Sequence, residues 1–267
     1  MRLVGLLIAA VPILSCTGTT GYSLVSFYAV AQGPADAQAG QAYTFMSGGY
    51  QVSLTKAIIH VGAIYLDDTP PTSGGAEASC TLPGTYVGEV RGGLDIDMLD
   101  PRAQAFPVSG NGSTIPAAVG QVWLSGPDVN AMAAQTDILD IEGTASKDGT
   151  TASFFGAITV DQSNNPAPMS STLPGSNPIC AARIVTPIFV GITLAQGGTL
   201  VLHVDPTSLF NNVDFSQIKA PRNSDAFEFT NKGMSSPDQP SRNLYDQLHS
   251  NGPYRFEWRP AGAAATR

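Results

Sequence analysis

Between Tyr50 and Leu66 the chain reads Y-Q-V-S-L-T-K-A-I-I-H-V-G-A-I-Y-L. Its first half alternates. Val52, Leu54 and Ile58 share one parity, and Gln51, Ser53 and Thr55 take the other. Successive side chains of a β-strand point to opposite faces, so this half predicts a strand with one wet face. From Ala57 onward both parities are apolar, through Ile58, Ile59, Val61, Ala63, Ile64 and Tyr65. The same strand is therefore expected to run into a position buried on both faces. A buried helix would also carry an apolar run, but the β-branched residues and the flanking Gly48-Gly49 argue for strand.

Similar signals lie on both sides of this stretch. Leu24 to Ala31 reads as a strand, and Tyr86 to Met98 as another. In the second, Tyr86, Val90, Leu94, Ile96 and Met98 face one way, and Glu89, Arg91, Asp95 and Asp97 face the other. Val119 to Leu124 is a short strand around Trp123. Ile138 to Ser146 and Thr151 to Val160 flank Lys147-Asp148-Gly149-Thr150, and an Asp-Gly between two strand-like runs signals a hairpin. Ile184 to Leu194 and Leu200 to Val204 flank Gln196-Gly197-Gly198-Thr199, a second predicted hairpin. Pro187 places the first of these runs at an edge or a bulge. Short strands are expected at Phe227 to Thr230 and Tyr254 to Trp258.

The stretches 67–84, 101–118 and 161–182 read as loops, and 127–135 as a turn or one helical turn with Asp128 as a cap. One helix is expected, from Ser241 to Ser250, capped by Ser241, striped by Leu244, Tyr245 and Leu248, and stopped at Asn251-Gly252. With 28 glycines, 20 prolines and 13% charged residues, the chain reads as all-β. The expectation is an antiparallel β-sandwich, immunoglobulin-like, of roughly eight to ten strands with one short C-terminal helix. It forms a single domain over residues 24–260, followed by a disordered tail at 261–267. The formal net charge of −8 argues against nucleic acid and against charge-driven docking on anionic lipid.

The N-terminus sets the compartment. Arg2 is followed by an apolar run from Leu3 to Leu14, then by Ser15 and Cys16, the layout of a secretory signal. A run of this length is too short to span a bilayer, which takes roughly 20 residues. Ile13-Leu14-Ser15-Cys16 resembles the lipobox of bacterial lipoproteins. The resemblance implies a signal peptide at 1–15 and a Cys16 carrying fatty acyl chains such as palmitate. It also implies a tether over 16–23 and a protein anchored in the cell envelope. Thr17, where an Asp would retain such a protein at the inner membrane, implies the outer membrane. With Cys16 used, Cys80 and Cys180 remain as an even pair in Pro-, Gly- and Ser-rich loops of an exported chain. A disulfide between them is expected. A pair of metal thiolates is the competing reading, but no C-x-x-C or matching histidine spacing supports it.

No enzyme signature is present: neither G-x-S-x-G, H-E-x-x-H, a phosphate loop nor G-x-G-x-x-G occurs. His60 sits in the buried-looking strand, and His203 in Leu202-His203-Val204-Asp205, with Asp205 on the same parity. If the two histidines face each other, with Asp205 as a third ligand or outer partner, they would hold a soft or borderline metal such as copper. The commoner role for such histidines is structural, each donating to a backbone carbonyl. His249 is expected to cap the helix's last carbonyls. Asp95, Asp97 and Asp100, or Asp137, Asp140 and Glu142, offer oxygens to calcium, although neither group matches the twelve-residue calcium loop. A solvated acidic face is the plainer account of both. Trp123, Trp258, Phe154, Phe155, Phe189, Phe210 and Tyr254 fall mostly on strands and serve either the core or a partner surface.

Three segments also carry a resemblance in their order. They are Tyr50 to Leu66, then Leu200-Val201-Leu202-His203-Val204-Asp205-Pro206 with Leu209-Phe210, and a last strand ending at Trp258. Over about half the chain this order is similar to that of methanobactin-operon-partner-like periplasmic proteins. The resemblance implies a β-sandwich associated with copper. Together the signals point to an anchored envelope module, non-enzymatic, that binds a small ligand or an envelope protein. Copper or another metal is the alternative cargo, and a hydrolase with an unrecognised site is the second alternative.

Overall fold

The computed structural model describes residues 22–69, 85–126, 136–160, 182–219, 224–231 and 236–262. Among them the strands are β1 (Leu24–Gln32), β2 (Tyr43–Ser47), β3 (Tyr50–Val61), β4 (Ala63–Asp67), β5 (Tyr86–Val90), β6 (Leu94–Asp97), β7 (Gln104–Ala105) and β8 (Gly110–Ser113). They continue with β9 (Ala117–Ser125), β10 (Thr136–Lys147), β11 (Thr150–Val160), β12 (Arg183–Ile192), β13 (Thr199–Val204), β14 (Ala226–Glu228) and β15 (Tyr254–Arg259). Two short helices, α1 (Pro206–Leu209) and α2 (Gln239–Leu248), and a 3-10 turn at Phe215–Gln217 complete the described elements. None of the described helices is long and apolar enough to cross a membrane.

The strands form two sheets. The larger runs β12-β9-β4-β5-β8-β1-β13-β15, with β7 also on β1, and the smaller runs β14-β11-β10-β3-β2, with β6 on β3. Side chains from both sheets meet in one buried core, including Phe27, Leu66 and Leu124 from the larger and Leu54, Ile59 and Phe154 from the smaller. The expected all-β sandwich is therefore the fold. It has fifteen described strands rather than eight to ten, because β7 and β8 lie in a stretch expected to be a loop, β2 lies where no element was expected, and two expected strands divide. Two pairings, β1 with β13 and β11 with β14, are parallel.

The stretch 50–66 decides the architecture by dividing. Thr55 is the extra residue of a bulge, since Leu54 pairs with Gly143 and Lys56 with Glu142. The bulge switches the buried parity from Val52 and Leu54 to Ala57, Ile59 and Val61, leaving Ile58 half-buried instead of sharing their face. At Gly62 the chain leaves the smaller sheet for the larger. A Cβ there would lie 2.3 Å from Ser125 Oγ and 2.5 Å from Ser125 O. Only glycine lets the two backbones pass so closely. All five residues of β4 are buried. The double-sided apolar run is thus a bulge plus a change of sheet. The stretch 86–98 divides in the same way, into β5 in the larger sheet and β6 in the smaller, across Arg91-Gly92-Gly93.

The Asp-Gly hairpin is present: β10 pairs with β11, and Asp148 (φ 52°) and Gly149 (φ 78°) both adopt the left-handed conformation of a type I′ turn. The second expected hairpin is not. β12 pairs with β9 at the sheet edge, where Pro187 costs no ladder bond on its open side. β13 lies instead between β1 and β15. Its buried Leu200, Val201, Leu202 and Val204 suit a strand paired along both of its sides. In α2 the cap is Asp238, whose carboxylate accepts from Ser241 N at 2.8 Å; Ser241 is buried and its hydroxyl accepts from Thr230 N at 2.9 Å. The signal segment, Cys16, Cys80, Cys180, Asp128 and residues 263–267 lie outside the described residues.

Candidate functional site

β13 brings His203 beside two neighbours in register, Gln32 of β1 and Arg255 of β15. These strands, the turn at Gly33–Ala35 and the residues around Pro253 wall a cleft of about 730 Å³, also lined by Tyr43, Asp205 and Arg259. His203 Nε2 lies 2.8 Å from Glu257 Oε2. Arg259 holds the same carboxylate from the other side, Nε to Oε1 at 2.7 Å and Nη2 to Oε2 at 3.1 Å, and reaches Gln32 Oε1 at 3.3 Å.

The electrostatics follow from these contacts. Hydrogen bonds from Arg259 and then His203 pull the Glu257 carboxyl down to about 2, so it is ionised at neutral pH. Burial pushes the His203 pKa down, with the charges of Arg255 and Arg259 acting in the same sense and Glu257 opposing. His203 is therefore neutral near pH 7. Its proton sits on Nε2, where the ionised Glu257 accepts it, and Nδ1 keeps a free lone pair. Arg255 is exposed and makes no ion pair among the described residues. Asp205 shares the cleft with His203, as the parity predicts, but its carboxylate caps α1. It accepts from Thr207 N at 2.9 Å, Thr207 Oγ at 2.7 Å and Ser208 Oγ at 3.1 Å. The Tyr43 hydroxyl donates to Asp36 at 3.1 Å; burial and that carboxylate push its pKa up to about 12.

His60 lies in the other sheet, on β3. Its Nδ1 is 2.5 Å from Oδ1 of Asp95, the register partner on β6. Nε2 is buried and has no hydrogen-bond partner among the described residues. It faces Gly93, where a Cβ would come within 3.0 Å of it. The expected grouping of His60, His203 and Asp205 around one ion is not formed. The histidines occupy different sheets with separate carboxylate partners, and no group of three His, Cys, Asp or Glu among the described residues is placed to hold a metal. Neither histidine donates to a backbone carbonyl among the described residues. Each is held on one ring nitrogen by a carboxylate from the adjacent strand.

The acidic groups are engaged in similar local pairs. Asp97 accepts from Leu99 N at 2.9 Å, and Asp100 pairs with Arg102 at 2.6 Å, which holds the Asp100 carboxyl below the usual range. Asp140 and Glu142 flank Lys56 at 2.5 and 3.8 Å. His249 caps α2 through its backbone N–H. Its ring lies edge-on to Tyr245 at 5.0 Å, and burial pushes its pKa down to about 4. Phe154 and Phe210 are core residues, whereas Phe155 and Phe189 are exposed.

The residues that sequence reasoning missed are Arg255, Glu257 and Arg259. Their alternation along β15 was visible, but their pairing with β13 was not. No family model and no curated protein matches this chain. Among solved structures, MbnP from Methylosinus trichosporium is similar at 12% identity, over 91% of this chain and 99% of that one, with a TM-score of 0.41.

Proposed function

We propose that this chain is a non-enzymatic binding module of the cell envelope, anchored through Cys16, whose ligand site is the cleft along β13 and β15. The observation that carries this reading is the pairing of Arg255 with His203 across adjacent strands on a cleft of about 730 Å³. Arg255 offers an unpaired guanidinium, and His203 offers a neutral acceptor at Nδ1. A small organic anion that also bears a hydrogen-bond donor satisfies both. Binding is favoured over catalysis because the hydroxyls of the lining residues Thr207, Tyr43 and Tyr254 donate to Asp205, Asp36 and the Leu248 carbonyl and not to His203. Calorimetry with a panel of small carboxylates and amino acids tests it. At least one should bind the native chain, and Arg255→Ala should weaken it by about 1.5–3 kcal/mol, the usual worth of a hydrogen bond to a charged group. Equal binding by the variant would overturn the assignment.

A second reading is metal binding, with copper as the candidate ion. It is supported by the arrangement of the two imidazoles: a carboxylate on one nitrogen fixes the tautomer and leaves the other open, as in metal-ligating histidines. The fit is partial, since neither histidine has two further protein donors among the described residues. Metal content of protein purified from its native membrane without chelators tests it. Bound copper should fall in His60→Ala or His203→Ala; copper unchanged in both variants would remove this reading.

A further inference from the structure

The chain contains two Asn-Gly pairs, Asn111-Gly112 and Asn251-Gly252, and the fold holds them differently. Gly112 lies inside β8, with Val25 of β1 and Gly88 of β5 as register partners on its two sides. Asn111 Oδ1 also accepts from Ser26 Oγ at 3.0 Å. Asn251 and Gly252 are both exposed, in the turn that joins α2 to β15. Among the described residues neither the Gly252 N–H nor the Asn251 side chain is held by a hydrogen bond. The rest of the turn is tied down. Tyr254 N–H donates to Asn251 O at 3.2 Å, and Asp205 N–H donates to Pro253 O at 2.8 Å. Gly252, Pro253 and Tyr254 line the cleft together with Arg255.

We propose that Asn251 is a self-modification site, which converts to isoaspartate and aspartate through a cyclic imide and so remodels one wall of the cleft. The Gly252 nitrogen attacks Cγ of Asn251. A C–N bond forms, the bond from Cγ to Nδ2 breaks, and ammonia leaves with the Gly252 proton. Water then opens the ring at either carbonyl, its hydroxyl going to carbon and its proton back to nitrogen. Glycine favours closure because it has no Cβ to crowd its nitrogen and its backbone turns freely. At Asn251 both reacting groups are free to meet, whereas at Asn111 the same rotation would break the ladder that holds β8. Opening at the main-chain carbonyl routes the backbone through the side chain, so the turn gains one backbone atom before Pro253. Either product adds one negative charge to the chain's −8. A carboxylate on this turn opposes the anion that Arg255 attracts, a consequence that rests on the cleft being the ligand site.

The test holds the full chain in mildly alkaline buffer, which helps deprotonate the attacking nitrogen, and follows it by peptide mapping with mass spectrometry and isoaspartate-specific methylation. Asn251 should lose its amide while Asn111 keeps it, and in denaturant both should convert. Gly252→Ala should preserve the Asn251 amide in the folded chain. A Cβ there meets Ser250 Oγ at 3.5 Å and Ser208 Cβ at 3.6 Å, ordinary contacts that leave the fold intact. A folded chain that keeps the Asn251 amide, or that converts both pairs equally, overturns the inference. Remodelling is read without a ligand. The Asp205 and Tyr254 amides should lose protection from hydrogen exchange in the aged chain and not in aged Gly252→Ala; unchanged protection overturns the remodelling. Calorimetry with the same panel of small carboxylates and amino acids then compares fresh and aged protein. Weaker binding by aged protein supports the consequence for the ligand, and equal binding overturns it. A fresh chain that binds none of them overturns the cleft as the ligand site, while mass and exchange still decide the modification.

Discussion

The residue that organises the cleft is Glu257, because one carboxylate is shared by an imidazole and a guanidinium. Its depressed pKa makes it a stabilising group above about pH 4.5, and that contribution is lost as pH falls towards about 2. Removing the charge should affect His203 in a defined sense. Glu257 raises the His203 pKa against burial, so Glu257→Gln should lower it further. A proton NMR titration of His203 reads this, and an upward shift would contradict the hydrogen-bond assignment. His249 gives a second pH dependence. Its pKa lies near 4 in the folded chain and near 6.5 when unfolded, so the unfolded state takes up more protons between these values. Stability should therefore fall as pH drops from about 6.5 to about 4. His249→Phe should flatten that slope in thermal melts; an unchanged slope would place its origin elsewhere.

At the scale of the element, two backbone features were readable to different degrees. The Asp148-Gly149 turn was legible because a type I′ turn needs two left-handed residues and the sequence supplies them side by side. A Cβ at Gly149 meets nothing within 4 Å, so only the backbone conformation opposes it. Gly149→Ala should cost about 1–2 kcal/mol in denaturant unfolding, and Gly149→Asn distinctly less. Gly62 was not legible as the crossing between sheets. The atoms it must avoid belong to Ser125, which is remote in sequence and meets it only after folding. Gly62→Ala should destabilise by about 1–3 kcal/mol, the usual cost of overpacking, because backbone atoms cannot move aside as a flexible side chain would. For α2, both Asp238 and Ser241 are plausible caps in sequence. The structure chooses Asp238, and Asp238→Ala should cost about 1 kcal/mol.

At the scale of the molecule, the sandwich depends on pairings between distant segments. β1, near the N-terminus, lies parallel to β13 and shares it with the C-terminal β15. This arrangement creates the cleft, since Gln32, His203 and Arg255 come from three separate parts of the chain. Two expectations belong at this scale. Non-reducing peptide mapping should recover Cys80 joined to Cys180; two free thiols would refute that link. Cys16→Ala should release the protein from membranes, and a variant that stays bound would refute the anchor.

Most strand positions, the Asp-Gly hairpin, the all-β class and the placing of His203 beside Asp205 were determined by the sequence alone. Each rests on local geometry: alternation with period two, a turn that demands particular residues, or two residues two apart on an extended backbone. Which sheet each strand joins was decided only by the tertiary structure. Backbone ladders are chemically alike, so alternation states which side chains are buried and not which strand lies alongside. For the same reason the sequence did not show that 50–66 and 86–98 each divide between sheets, that His60 meets Asp95 and not His203, or that Glu257 and Arg259 frame the cleft. Those contacts depend on register between segments that only the closed sandwich brings together.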